Sequence, residues 1–117
     1  MPTIRDLVGA LRQRDGVDAA LVLGRDGLLI DSQSAPDVDP ERVAALIPAI
    51  VAAADEYAAH DERGALTTAV LEFHRGIAIA SVLSRDVILL VLARPTADLG
   101  TLLFELRRHR ESIAALV

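Results

Sequence analysis

Residues 65–93, ALTTAVLEFHRGIAIASVLSRDVILLVLA, decide the fold of this chain. Three apolar runs, at 65–73, 77–83 and 87–93, are separated by the polar breaks HRG and SRD. Short apolar runs joined by tight turns predict an antiparallel meander of three strands. Apolar residues occupy both alternating positions in the second and third runs, so both faces of these strands should be covered. Helices from elsewhere in the chain are expected to flank the sheet.

Two further strands are predicted before the meander. The apolar runs at 18–23 and 28–32 flank the tetrapeptide GRDG, which is a strong hairpin signal. Residues 33–39 are polar and contain Pro36, which indicates the longest loop of the chain.

Three helices complete the pattern, and helix-start signals support each of them. They are predicted at residues 2–14, 40–60 and 97–116. Caps are expected at Thr3, at Asp39 and at either Thr96 or Asp98. Pro48 should kink the second helix or remove one of its hydrogen bonds. The fold class is therefore α+β: a single domain, 1–117, with the order α-ββ-α-βββ-α and a five-stranded antiparallel sheet that carries helices on both faces.

Composition narrows the possible functions. The formal net charge of −5 and the three aromatic residues argue against nucleic-acid binding, which favours basic patches and stacking rings. The chain has no Cys and no Lys, which excludes thiolate sites and Schiff-base or P-loop lysines. The longest uncharged stretch, residues 43–54, is shorter than the ~20 residues of a membrane span, and no signal peptide is visible. We therefore expect a cytoplasmic protein without membrane attachment.

The second helix is more apolar than one copy of the chain should need. We assign one stripe of it to packing on the sheet, consisting of Val43, Ile47, Ile50, Ala54 and Tyr57. The opposite side is small and almost uncharged: Ala44, Ala45, Pro48, Ala49, Ala52, Asp55, Glu56 and Ala59. A helix that is apolar nearly all round is usually covered on two sides. Genome composition and high helix propensity would also explain surface alanines, although not the unprotected edge strand described next, so this alternative stays open.

The first strand of the meander indicates a dimer as well. If it lies at the sheet edge, residues 65–70 contain none of the Lys, Pro or inward charges that usually protect an edge. The predicted dimer-interface residues are Ala45, Ala49, Ala52, Ala53, Glu56, Leu66, Thr68 and Val70. The residues predicted to bind another partner are Ala44, Pro48, Asp55 and Ala59. The first set follows from the idea that two copies of the helix and strand pair by symmetry. The second set follows from the idea that the paired second helices form a platform for the partner.

No catalytic, cofactor or metal site is predicted. His60, His74 and His109 lie on different elements without metal-ligand spacing. The Asp37–Asp39 pair is better explained by a helix cap than by a calcium loop. Arg42, Arg63 and Arg75 lie near the predicted interface and are candidate arginine fingers, which are side chains that place a positive charge in a partner's active site.

Several stretches carry a resemblance to a known family. Residues 16–23 (GVDAALVL), 26–30 (DGLLI) and 87–92 (VILLVL), with Leu99-Gly100 in the closing helix, resemble the Roadblock/dynein light chain family, which includes bacterial MglB-like regulators of Ras-like small GTPases. The resemblance implies a profilin- or longin-like fold. It also implies a homodimer, or a pair with a paralogous Roadblock chain, whose sheet continues across the first meander strand.

Three functions follow from the residues and the resemblance together. The first is a non-enzymatic dimeric regulator or scaffold of a Ras-like small GTPase, with GTPase activation possible without an active site of its own. The second is a structural adaptor in a motor, kinase or polarity complex, without effect on nucleotide state. A small-molecule sensor or enzyme is the least favoured, because no polar group stands out among the aliphatic strand residues.

Overall fold

The computed structural model of the chain describes residues 2–117. Its helices are α1 (Ile4–Gln13), α2 (Pro40–His60), α3 (Leu99–Arg108) and α4 (Arg110–Ala114). Its strands are β1 (Val17–Gly24), β2 (Leu29–Ser34), β3 (Thr68–Phe73), β4 (Gly76–Val82) and β5 (Val87–Ala93). The predicted element order is confirmed, except that the closing helix is divided into α3 and α4 at His109.

One antiparallel sheet contains the five strands in the order β2-β1-β5-β4-β3. The meander β3-β4-β5 is confirmed. Strand β5 also pairs with β1, so it lies at the centre of the sheet. Strand β2 continues to Ser34, two residues beyond the predicted end, because Ser34 and Gln33 pair with Ala19 and Ala20. Strand β3 begins only at Thr68, so the predicted strand at 65–73 is shorter than expected.

Helices cover both faces of the sheet, as predicted. On one face, α1, α3 and α4 contribute Val8, Leu102, Leu106 and Ile113 to a core with β1, β4 and β5. On the other face, α2 packs Ile47 and its neighbours on the alternate side chains of the same strands. Strands β1, β4 and β5 are buried on both faces, which explains why their sequences are continuously apolar.

Side chains at the helix starts carry out the predicted capping. Thr3 and Asp6 form a reciprocal capping box at α1. Asp39 accepts a hydrogen bond from the backbone N–H of Arg42 at the start of α2. At α3 the cap is Asp98, whose carboxylate accepts from the N–H and hydroxyl of Thr101. The predicted start of this helix at residue 97 is therefore two residues early.

The face of α2 that packs on the sheet differs from the prediction. The buried stripe is Ala44, Ile47, Val51 and Ala58. Ile50 and Tyr57, which were expected on the sheet, are 38% and 62% exposed, so their predicted placement is wrong. Ala44, which was expected on the outer side, is fully buried, so that placement is wrong as well. Two of these four buried residues are alanines, so the sheet-facing side of α2 could not be identified from the size of its apolar side chains.

Helix α2 is long and apolar enough to cross a membrane, judged by length and composition alone. It continues through Pro48 for 21 residues. Within this domain, however, the buried stripe of α2 packs on the sheet. A core helix of a globular domain passes the same test, so length and composition alone do not identify α2 as a membrane span.

Candidate interaction surface

The outer face of α2 is an apolar surface that the fold leaves uncovered. We define it by the exposed residues Ala45, Leu46, Ala49, Ile50, Ala52, Ala53, Glu56 and Tyr57. Leu46 and Tyr57 are 61% and 62% exposed, although side chains of this size and type usually pack in cores or interfaces. The intervals along α2 are four residues from Leu46 to Ile50, three to Ala53 and four to Tyr57. These residues therefore lie with Ala49 on one continuous surface. Such a surface is typical of a site that another protein covers.

Strand β3 forms an open edge of the sheet beside β4. Within residues 2–117, its hydrogen-bonded neighbour is β4 alone, so the opposite backbone edge has no strand partner. The other edge strand, β2, is better protected. Helices α1 and α2 both pack against it, and its half-buried Asp31 lies 3.7 Å from Arg5. Edge β3 is therefore the less protected of the two, as its sequence suggests.

The structure places the predicted dimer-interface residues in two neighbouring sets. Ala45, Ala49, Ala52, Ala53 and Glu56 are exposed on the outer face of α2. Leu66, Thr68 and Val70 are half-buried on β3 or just before it. A side chain of α2 connects the two sets: the Asp55 carboxylate accepts a hydrogen bond of 2.9 Å from the backbone N–H of Leu66.

Asp55 has two intramolecular partners, which fix its position. Besides Leu66, its carboxylate contacts the guanidinium of Arg25 in the β1–β2 turn at 2.8 Å. The Leu66 hydrogen bond, together with the Arg25 contact, holds the pKa of Asp55 below its ordinary value. The group is therefore ionised at neutral pH and joins the hairpin, α2 and the entry to β3.

The other residues predicted to bind a partner are not equivalent. Ala59 is exposed and Pro48 is half-buried. Ala44 faces the sheet core with no exposed surface, which removes it from any outer contact. Leu46, Ile50 and Tyr57 belong to the outer face, but the sequence did not place them there. Ile50 and Tyr57 were expected on the sheet because large apolar side chains are typical of a core, and Leu46 was expected on neither side.

The three candidate arginine fingers are not brought together. Arg42 lies in the first turn of α2, Arg63 in the loop after α2 and Arg75 in the β3–β4 turn. Arg63 donates to the carboxylate of Asp61 at 2.9 Å. Among residues 2–117, no group of three or more His, Asp or Glu side chains is arranged to hold a metal ion.

Comparison with known proteins agrees with this architecture. The Roadblock/LC7 domain family matches residues 3–93. Two proteins of Methanocaldococcus jannaschii, "Uncharacterized protein MJ1340" and "Uncharacterized protein MJ0310", are 33% and 32% identical over 106 residues, which covers 91% of this chain and 92% of each relative. A Roadblock/LC7 domain from Streptomyces avermitilis superimposes with a TM-score of 0.85 at 22% identity, covering 97% of both chains. The gliding protein MglB from Thermus thermophilus superimposes with a TM-score of 0.83 at 18% identity, covering 96% of this chain and 86% of that one. The chain therefore belongs to the Roadblock/LC7 domain family.

Proposed function

We propose that the protein is a cytoplasmic dimeric regulator or scaffold that binds a Ras-like small GTPase and has no active site of its own. The observation that carries the proposal is the exposed apolar outer face of α2 together with the open edge of β3, which the Asp55–Leu66 hydrogen bond connects. Membership of the Roadblock/LC7 family and the likeness to MglB structures support it further.

Self-association is the first part of the proposal. In a symmetric pair, β3 would add to β3 of a second copy and the two α2 outer faces would lie side by side. Fully burying a large apolar side chain contributes about 1.5–3 kcal/mol. Leu46, Ile50 and Tyr57 are 61%, 38% and 62% exposed in each copy, so each would contribute part of that amount. A paralogous Roadblock chain with the same edge would serve in place of the second copy.

GTPase binding is the second part. Paired α2 helices would present a platform on which Pro48 and Ala59 are accessible. A GTPase carries its own nucleotide-contacting groups, so a partner can alter turnover by positioning them. Asp55, which was predicted to contact the partner directly, would act through its intramolecular contacts with Arg25 and Leu66 instead.

Titration with a purified Ras-like small GTPase tests this function. Isothermal titration calorimetry with the GDP form and with a non-hydrolysable GTP form should give a higher affinity for the GTP form. Equal affinities would indicate a scaffold, since a ligand without differential affinity shifts no equilibrium. Undetectable binding to either form, with the dimer intact, would refute GTPase binding.

A pair of matched variants locates the surface. Ala59→Arg places a large charge at the exposed end of α2 and should weaken GTPase binding at least tenfold. Ala115→Arg, at an exposed alanine after α4 on the opposite side of the sheet, is the control and should bind as the wild type does. If Ala115→Arg weakened binding and Ala59→Arg did not, the GTPase would bind the α1–α3 side instead.

A further inference from the structure

An open cleft of about 640 Å³ lies at one end of the sheet, beside the last turns of α2. Asp55 and Ala59 of α2 line it, but none of the residues that define the α2 outer face does. Its polar residues come from four parts of the chain: Arg25 in the β1–β2 turn, Asp55 on α2, Ser84 and Arg85 in the β4–β5 turn, and Arg110 at the start of α4. The strands themselves contribute little polar surface to it. Inspection of strand sequences therefore could not reveal this site.

The cleft is basic in an acidic protein. Three guanidinium groups and one carboxylate line it, which gives a local charge of +2, whereas the whole chain carries −5. Asp55 neutralises Arg25 at 2.8 Å. Arg85 is exposed, and among residues 2–117 no carboxylate lies within ion-pairing distance of it. Two positive charges are thus left without a counter-charge in the cleft.

Two of the arginines are held in place before any ligand arrives. Arg110 donates a hydrogen bond to the backbone carbonyl of Val82, and Arg25 is fixed by Asp55. The Nε–H of Arg25 is buried and has no acceptor among the described residues. The Ser84 hydroxyl oxygen accepts from the N–H of Asp86, so its own hydrogen remains free to be donated. Donors that are fixed in advance lose little entropy when an anion binds.

We propose that this cleft binds a small phosphate monoester. A phosphate monoester carries close to two negative charges at neutral pH, which matches the two uncompensated arginines, whereas a carboxylate carries one. The guanidinium group also matches phosphate oxygens in geometry, since two parallel N–H groups can contact two oxygens. Arg85 and Arg110 are the phosphate ligands, with Ser84 as an additional donor.

The size and the walls of the cleft indicate a ligand larger than phosphate alone. Its volume lies within the range of about 300–1,000 Å³ that is common for small-molecule sites. Leu66, Ala65 and Val82 supply apolar surface beside the arginines. A compact apolar or aromatic group attached to the phosphate would cover these side chains.

Titration with phenyl phosphate tests the assignment on the intact chain. Backbone and arginine Nε–Hε signals are followed by NMR, with phenylacetate as the carboxylate comparison and inorganic phosphate as the headgroup alone. We expect saturable binding of phenyl phosphate, shifts at Arg85 and Arg110, and at least fivefold weaker binding of phenylacetate. Non-saturating shifts, or equal affinity for phenylacetate, would overturn the assignment to a phosphate monoester.

Variants that remove the same charge distinguish specific binding in the cleft from non-specific electrostatic binding. Arg85→Gln should raise the Kd for phenyl phosphate about tenfold, as expected for loss of one charge-assisted contact. Arg75→Gln removes the same charge from the β3–β4 turn, which is at the opposite end of the sheet, and should leave the Kd unchanged. Equal effects of the two variants would overturn the proposal. So would binding of a phosphoserine peptide without binding of phenyl phosphate, because the ligand would then be a protein.

Discussion

Asp55→Ala removes the side chain that joins the β1–β2 turn, α2 and the entry to β3. The carboxylate is about one quarter exposed and accepts from Arg25 at 2.8 Å and from the Leu66 N–H at 2.9 Å. After the change, the half-buried guanidinium of Arg25 has lost its counter-charge, and its Nε–H already has no acceptor among the described residues. The Leu66 N–H loses its acceptor as well.

The expected cost follows from these contacts. Hydrogen bonds to charged groups contribute about 1.5–3 kcal/mol each when they are shielded from water, and less when they are partly exposed. Because Asp55 lies between these limits, we expect Asp55→Ala to lower the free energy of unfolding by about 2–3 kcal/mol.

Asp61→Ala is the matched control. Asp61 also accepts two side-chain hydrogen bonds, from Tyr57 and Arg63, but in an exposed position. Its loss should cost under about 1 kcal/mol.

Urea denaturation followed by circular dichroism measures both variants at one fixed protein concentration, because self-association would add to the apparent stability. Hydrogen exchange of the Leu66 amide gives a local readout and should accelerate in Asp55→Ala but not in Asp61→Ala. Equal losses of stability in the two variants, or an unchanged Leu66 exchange rate in Asp55→Ala, would refute the proposed role of Asp55.

Three further predictions follow from the same structure. Since the pKa of Asp55 is lowered on folding, its contribution is complete above the ordinary value of 3.8 and is lost as pH falls through the lower folded pKa. Stability measured in acid should therefore decline less in Asp55→Asn than in the wild type, and an equal decline would contradict this. Gly16 and Gly64 both have positive φ, but an added Cβ at Gly16 would lie 2.8 Å from the Cβ of Ala97, whereas Gly64 has open space. By thermal denaturation, Gly64→Ala should cost about 1 kcal/mol and Gly16→Ala clearly more; equal costs would disprove the close approach. Val51→Ala should cost about 2 kcal/mol because Val51 is fully buried, and a cost below about 0.5 kcal/mol would contradict the buried stripe of α2.

Much of the fold follows from local patterns. The polar breaks at 74–76 and 84–86 mark the meander, and the signals around Asp39 mark the start of α2, because turns and caps depend on neighbouring residues. Local patterns did not predict which side of α2 faces the sheet. A stripe of large apolar residues and a stripe with small ones both satisfy helical spacing. The close approach of helix and sheet selected the second, with Ala44 and Ala58 inside.

The basic cleft illustrates a second limit of sequence analysis. Arg25, Arg85 and Arg110 are far apart in the chain, and each reads as an ordinary surface arginine in a turn or helix. Only the sheet order, which places the β1–β2 and β4–β5 turns at the same end, brings them to one cleft. The open edge of β3, in contrast, was readable from residues 65–70 because edge protection depends on residue type.

Sedimentation velocity at micromolar concentration shows whether the α2 outer face and the β3 edge join two copies. We expect the 12.5 kDa chain to sediment as a species of twice that mass. Ala53→Glu, which places a charge in the middle of the outer face, should sediment as a monomer, and Phe104→Glu, an exposed position on α3, should remain dimeric. A wild-type chain that sediments as a monomer, or an Ala53→Glu variant that stays dimeric, would contradict pairing through the α2 outer face.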